Sequence, residues 1–356
     1  MSPRKEMISG GDPVDDNRAE ASNPFALPSD IASEVAIRPR SLDEFIGQGQ
    51  IKAHLEVVIK AAQGRGQSVD HLLFAGPPGL GKTSLAQIVA NEMGAGFRVT
   101  SGPTLVRGGD LAAILNSLNE GDVLFIDEIH RMTKAAGEVL YPAMEDFKLD
   151  ILVGEGPTAR SIRIDLPRFT LIGATTRTGM LTGPLRDRFG FVTRLDYYDP
   201  EELATIVRRS AAILDVEIAQ GASLEIARRA RGTPRLANRL LRRVRDYAEV
   251  HADGRVTEDL AKVALEFFGA DSMGLDKLDR AILEVMCVTY RGNPVGITTL
   301  AATVGEEAET IEDVYEPFLI QAGLIARTRR GRVAGPLAFE HLGIQPPPLY
   351  DDLFRE

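Results

Sequence analysis

The run GPPGLGKT (residues 76–83) sets a lysine and a threonine at the end of a glycine-rich stretch. It lies directly after the apolar HLLFAG (71–76) and directly before SLAQIVANEM. Strand, glycine loop and helix in that order are the context a phosphate-binding loop requires. Gly79 and Gly81 let the backbone curl until successive N–H groups point at phosphate oxygens, and the following helix adds its positive N-terminal end. Lys82 is then in reach of β- and γ-phosphates, and the Thr83 hydroxyl in reach of a Mg2+ ion. The chemistry is binding of a nucleoside triphosphate.

Three further stretches say what is done with it. VLFIDEIH (123–130) is an apolar strand closing on two carboxylates. Asp127, at the strand's end, is placed to hold Mg2+ through water, and Glu128 to orient and activate a water against the γ-phosphate. An acid poised for water favours hydrolysis over transfer to a small molecule. IGATT (172–176) ends another strand with Thr175 and Thr176, either of which has a hydroxyl for the attacking water or the γ-phosphate. GPLRDRFG (183–190) carries Arg186 and Arg188 around Asp187. An arginine here reaches a neighbouring subunit's γ-phosphate, provided the loop stands away from its own chain's nucleotide. Supplied in trans, it would stabilise transition-state charge. Spacing does not choose between the two. In RGTPRLANRL (231–240), Arg235 follows Pro234, which suits the first turn of a helix, where an arginine can sense phosphate.

The elements that must position these groups follow from hydropathy. From about 40 to 200, short apolar runs alternate with amphipathic segments, which implies a mainly parallel sheet covered on both faces. KLDILVGEGPTARSIRIDL (148–166) breaks that rhythm with two alternating segments around Gly154, Gly156 and Pro157, the pattern of an inserted β-hairpin. From about 200 the chain turns to arginine-rich helical periodicity with little strand signal. GADSMGLD (269–276) reads as a linker. Beyond it, three helical runs and a strand pair, LIARTRRGRVAG, are the ingredients of a winged helix-turn-helix.

Composition sets outer bounds. The 356 residues are enough for two or three domains. With a single cysteine, Cys287, in the apolar AILEVMCV, no internal disulfide forms and a reducing cytoplasmic compartment fits. No apolar stretch is long enough for a membrane span, and the polar N-terminus lacks a signal peptide's core. The formal net charge of −10 disfavours nucleic acid as a bulk electrostatic partner, so any contact with it must be local. ARTRRGR supplies such a patch, with arginines at 327, 329, 330 and 332.

The order of phosphate loop, Asp-Glu strand, polar strand end, arginine loop and GTPR-bearing helices resembles the AAA+ ATPases. Together with IRPRSLDEFIGQ (37–48), ATTRTGMLTGPLRDRFG and EPFLIQAGLIARTRRGR, it resembles the RuvB family, ATP-driven motors that migrate Holliday junctions in recombination and repair. The likeness spans about residues 30–345. It implies an α/β P-loop AAA+ domain with a parallel sheet at 31–199, a small all-α lid at 200–270 and a winged-helix head at 273–345. Tails at 1–30, expected to be disordered, and 346–356 flank them. It implies ATP and Mg2+ as cofactors, with Ile37, Arg38 and Tyr198 by the adenine and ribose. Lys82, Thr83 and Ser84 would hold phosphates and metal. Thr176 is implied as the strand-end sensor, Arg235 as the lid sensor and Arg188 as the trans arginine. Glu145, Asp146 and Phe147 are implied near nucleotide. The 148–166 hairpin would dock on RuvA through Ile151, Leu152 and Ile162. RuvC would join a larger complex, and the subunits would form a ring, a hexamer. Arg327, Arg332 and Arg330 would contact the duplex backbone without reading bases. The chain departs from the family pattern at Ala308, where relatives often have arginine, so that one phosphate contact is lost or passes to Arg329. Two rival readings stand beside this one. A clamp-loader subunit would lack the winged head, and a nucleotide-gated DNA scaffold would not work as a motor.

Overall fold

The computed structural model describes residues 36–153 and 160–347. The two tails, apart from residues 346 and 347, and the hairpin tip with Gly154, Gly156 and Pro157 lie outside them. The side chains of Ile151 and Leu152 are likewise outside what is described. The chain forms two compact units. One runs to Ile206 and takes in Gly232–Arg235. The other comprises Val207–Arg231 and the residues from Leu236 on.

The first unit is built on five strands: β1 (Leu72–Ala75), β2 (Phe97–Ser101), β3 (Val123–Asp127), β6 (Thr170–Thr175) and β7 (Phe191–Arg194). Their order is β2-β3-β6-β1-β7, with every neighbouring pair parallel. β1 and β6 are buried along their whole length. That is why they read as unbroken apolar runs rather than alternating ones. Helices α2 (Lys82–Glu92), α3 (Gly108–Asn116) and α4 (Lys134–Glu145) fill crossovers, α1 (Gly49–Arg65) precedes β1, and α5 (Gly183–Arg186) and α6 (Pro200–Ile213) come before and after β7 in the chain. The apolar face of α4 enters a core of Leu111, Leu115, Leu140, Phe169 and Leu171. β4 (Lys148–Val153) and β5 (Arg160–Asp165) pair antiparallel as a separate ribbon. Leu149 anchors its base in the core, while Ile162 stands 49% exposed.

Register is what makes a site of this sheet. Ala75 lies beside Thr175, and Ile126 beside Gly173. The carboxyl ends of β1, β3 and β6 therefore open onto one edge, where ligands of parallel sheets bind.

The second unit holds α7 (Gln220–Arg229), α9 (Glu258–Phe267) and nearly all of α8 (Pro234–His251), together with the C-terminal elements. The latter are α10 (Lys277–Glu284), α11 (Ile297–Val304), a helical run over 308–321, β8 (Ile325–Thr328), β9 (Gly331–Ala334) and α12 (Pro336–His341). Leu283, Met286, Leu300, Leu319 and Phe339 form the core of these elements.

The 269–276 stretch is not a loose linker. Ala270, Leu275 and Asp276 are buried. Asp271 accepts from the Met273 and Leu275 amides and meets His341. Glycine at 274 is there for close approach: its φ is +77°, and a Cβ would stand 2.3 Å from the Arg229 carbonyl oxygen. A composition of Gly, Asp and Ser suits a tight buried turn as well as it suits a tether, so the sequence does not separate the two.

Candidate functional site

The phosphate loop begins where β1 ends. Gly76 adopts φ +135° with its amide donating to the Thr175 carbonyl. A Cβ there would sit 2.6 Å from the Leu195 oxygen, so no other residue makes this turn without displacing β7's exit. Gly79 and Gly81 are also left-handed, and Gly81 is the residue from which α2 starts. Lys82 folds back so that its ammonium donates to the carbonyls of Gly76 (2.7 Å) and Pro77 (2.8 Å). Thr83 and Ser84 follow on the first turn of α2.

Burial pushes the Lys82 ammonium down to about 8. Asp127 and Glu128 oppose that shift and Arg235 adds to it. The loop thus holds a desolvated cation whose nearest acceptors are neutral carbonyls, a cradle suited to an anion. A consequence is testable. Phosphate oxygens beside Lys82 hold its proton, so ATP binding above pH about 8 takes up protons, and affinity falls as pH rises through that value. Calorimetry in two buffers of different ionisation enthalpy measures the uptake. A heat independent of buffer would contradict it.

β3 delivers the two carboxylates. Asp127 closes the strand, and its Oδ1 accepts the Glu128 amide at 3.0 Å. Glu128 leaves the strand with φ +47°, a left-handed turn that is uncommon for a side-chain-bearing residue and collects at functional sites. Burial and the neighbouring Asp127 raise the Glu128 carboxyl above its ordinary value, against the pull of Lys82 and a Thr176 hydrogen bond. Thr176 Oγ1 donates to Glu128 Oε2 at 3.3 Å. Thr175 is fully buried, and its hydroxyl lies 2.9 Å from His130 Nδ1. His130 Nδ1 is also 3.3 Å from Glu128 Oε2. The imidazole, with a side chain only 4% exposed, is thus a wedge between the strand-end threonine and the acid. Sequence reading missed it, although its place three residues after Asp127 in DEIHR was the available signal.

The base and lid positions close the other sides. Ile37 is buried and Arg38 half-buried. The Tyr198 hydroxyl donates to the Leu80 carbonyl, and its ring lies against Gly47, where a Cβ would come within 2.6 Å. Burial raises the Tyr198 phenol well above its ordinary value, so it stays a donor. The Arg235 amide donates to the Gly79 carbonyl at 3.3 Å, with its Cβ and that of Thr233 packed over Gly79. The structure therefore gathers Lys82, Asp127, Glu128, Thr176, Tyr198 and Arg235 about one glycine loop.

Arg188 has different company. It donates to the Pro184 carbonyl (2.6 Å) and to Glu145 (2.9 Å), and its guanidinium lies 4.9 Å from the centre of the Tyr141 ring. Its Nε is buried without a hydrogen-bond partner. Arg186, on the short helix Gly183–Arg186, is exposed. Glu145 and Asp146 lie at the end of α4. Phe147, with φ +53°, packs on His71 and Phe169. Among the described residues, none of Arg188's contacts is with the phosphate loop.

In the second unit, Arg327 and Arg332 face each other across β8 and β9. Both reach Glu316, which is 1% exposed. Arg327 pairs with it through Nε and Nη2, and Arg332 spans it and Glu312. Burial works to raise Glu316, but the two guanidiniums hold it below the ordinary range. Arg329 and Arg330 stand exposed on the connecting turn. Ala308 packs in part on the local core.

Comparisons with known proteins agree over nearly all of the described chain. Residues 37–195 match the family model for the Holliday junction DNA helicase RuvB P-loop domain. Residues 198–271 match that for the RuvB AAA lid domain, and 272–343 that for the RuvB C-terminal winged helix domain. The Holliday junction branch migration complex subunit RuvB of Nocardia farcinica is 58% identical over 94% of both chains. That of Mycolicibacterium smegmatis is 60% identical, over 88% of this chain and 90% of its own. The solved Thermotoga maritima RuvB Holliday junction branch migration motor superposes with a TM-score of 0.80 at 51% identity, covering 88% of this chain and all of that one. No helix among the described residues is long and apolar enough to cross a membrane. On this sequence, site geometry and similarity, the chain belongs to the RuvB family.

Proposed function

We propose that this protein is an ATP-hydrolysing motor that moves duplex DNA to migrate Holliday junctions in recombination and repair. It would act in the cytoplasm as a homo-oligomeric ring, a hexamer, with RuvA. The large domain, lid and winged head occupy 31–199, 200–270 and 273–345. The observation that carries the reading is a divided site. Lys82, Glu128, Thr176 and Arg235 surround one glycine loop, while Arg188 is tethered to Glu145 and Tyr141 instead.

In the mechanism, the loop amides and Lys82 hold the β- and γ-phosphates, with Ile37, Arg38 and Tyr198 against the base and ribose. Ser84 adds a donor on the first turn of α2. Thr83 and Asp127 would hold Mg2+, and a hydroxyl with a strand-end carboxylate suits a hard cation completed by phosphate oxygens. When bound, the ion neutralises charge building between the terminal phosphates. Glu128, kept in place by Thr176 and His130, accepts the proton of the attacking water. Arg188 of the neighbouring subunit supplies a further cation at the γ-phosphate, beyond Lys82 and Arg235, with Glu145, Asp146 and Phe147 bordering that nucleotide. Arg235 senses whether the γ-phosphate is present.

Arg327, Arg330 and Arg332 would contact phosphates of either strand, which a motor indifferent to sequence requires. The pairing of Arg327 and Arg332 with Glu312 and Glu316 fixes those two guanidinium planes before DNA arrives, while Arg330 stands exposed on the turn between them. The 148–166 ribbon, with Ile162 exposed, is the RuvA dock, and RuvC would bind the assembled complex. Electron microscopy with an ATP analogue and duplex DNA tests the assembly. Closed six-membered rings around DNA are expected, and monomers or open clusters at saturating nucleotide would overturn it.

A further inference from the structure

Arg231 is the most deeply committed charge in the second unit. Its residue is 4% exposed, and its guanidinium lies between Asp276 and Asp279, which are 4% and 0% exposed. Nε donates to the Gly274 carbonyl at 2.7 Å, and the guanidinium carbon is 5.3 Å from the centre of the Phe318 ring. Its two aspartates are themselves structural. Asp276 caps α10 by accepting from the Leu278 and Asp279 amides, and Asp279 returns a bond to the Asp276 amide. One side chain from the end of the lid's α7 region thus grips the turn at 274, the start of α10 and the 308–321 helical run. Arg229 adds a second tie, donating to the Ala270 carbonyl at 2.9 Å. Burying a cation between acids adds little net stability, because desolvation offsets the attraction, but it punishes every other arrangement. Such a cluster is suited to fixing geometry.

The position in the chain gives this geometry a use. Arg231 has φ +50° and Gly232 φ +68°, and the next residues, Gly232–Arg235, belong to the nucleotide-binding unit. The peptide after Arg231 is therefore where the chain leaves one unit for the other, three residues before the phosphate-sensing Arg235.

We propose that the helical lid and the DNA-binding head form one rigid lever, and that Arg231 is the positioning residue that locks them, so that motion begun at Arg235 reaches the wing without loss. The motor role of that lever rests on the function proposed above, whereas its rigidity does not. Val250 on α8 and Leu337 on α12 are 76% and 46% exposed, and Cys287 is buried, so spin labels on Val250→Cys and Leu337→Cys report the lid-to-head distance in the full chain. A single narrow distance, the same without nucleotide and with ATP analogue, is expected. Arg231→Met should broaden it, retain ATP turnover and lose junction movement. Asp279→Asn, which keeps the shape and removes a charge, gives the same test if thermal unfolding shows Arg231→Met misfolded. A distance that shifts with nucleotide in the otherwise unaltered chain overturns the proposal, as does a distribution still narrow in the folded variant. A rigid lever in a protein that moves no junction would leave this inference standing and sink the motor reading.

Discussion

Arg188→Ala should abolish ATP turnover, by about 10³–10⁵-fold, while ATP binding persists. The reason is the geometry of the arginine's contacts. Its guanidinium is held by Glu145, the Pro184 carbonyl and the Tyr141 ring, and the phosphate loop is completed without it by Lys82 and Arg235. Removing it leaves the chain's own binding groups in place and, on the trans role proposed for it, would deprive the next subunit of charge in the transition state. Nucleotide fluorescence titration and phosphate release measure the two halves. Equal losses of binding and turnover would contradict a role in trans.

Glu128→Gln is the second large effect. The amide keeps an oxygen for the Thr176 hydroxyl but cannot take a proton from water. Hydrolysis should fall by roughly 10²–10⁴-fold with nucleotide binding intact. The two variants complement each other if the arginine acts across subunits. A ring mixing Arg188→Ala with Glu128→Gln chains contains interfaces where an intact Glu128 meets an intact Arg188. Partial recovery of turnover at intermediate mixing ratios is expected, and no recovery at any ratio would contradict it.

The catalytic half of this site was legible because its signals are local. Gly79, Gly81, Lys82 and Thr83 fall within five residues, and Asp127 and Glu128 end a run apolar enough to be a buried strand. Alternating strands and helices fix a parallel sheet, and a parallel sheet puts such strand ends on one edge. Pairings made over long separations were not legible. Glu316 lies 11 residues from Arg327 and 16 from Arg332. In sequence the arginines read as a local basic patch, whereas folding gives two of them a buried carboxylate. Nothing in the sequence marks out Arg231 from the many arginines near it, and only its pairing with aspartates 45 and 48 residues further along reveals it as buried. Choosing Arg188 over Arg186 rested on family resemblance. The structure adds that the first is held by three partners and the second is exposed.

The most direct test of the motor reading uses a synthetic four-way junction, the full-length protein, RuvA, ATP and Mg2+. The result expected is conversion of the junction to two duplexes that requires ATP and is lost in Glu128→Gln and Arg188→Ala. ATP turnover stimulated by DNA without any movement of the junction would contradict it and return the protein to the loaders or scaffolds.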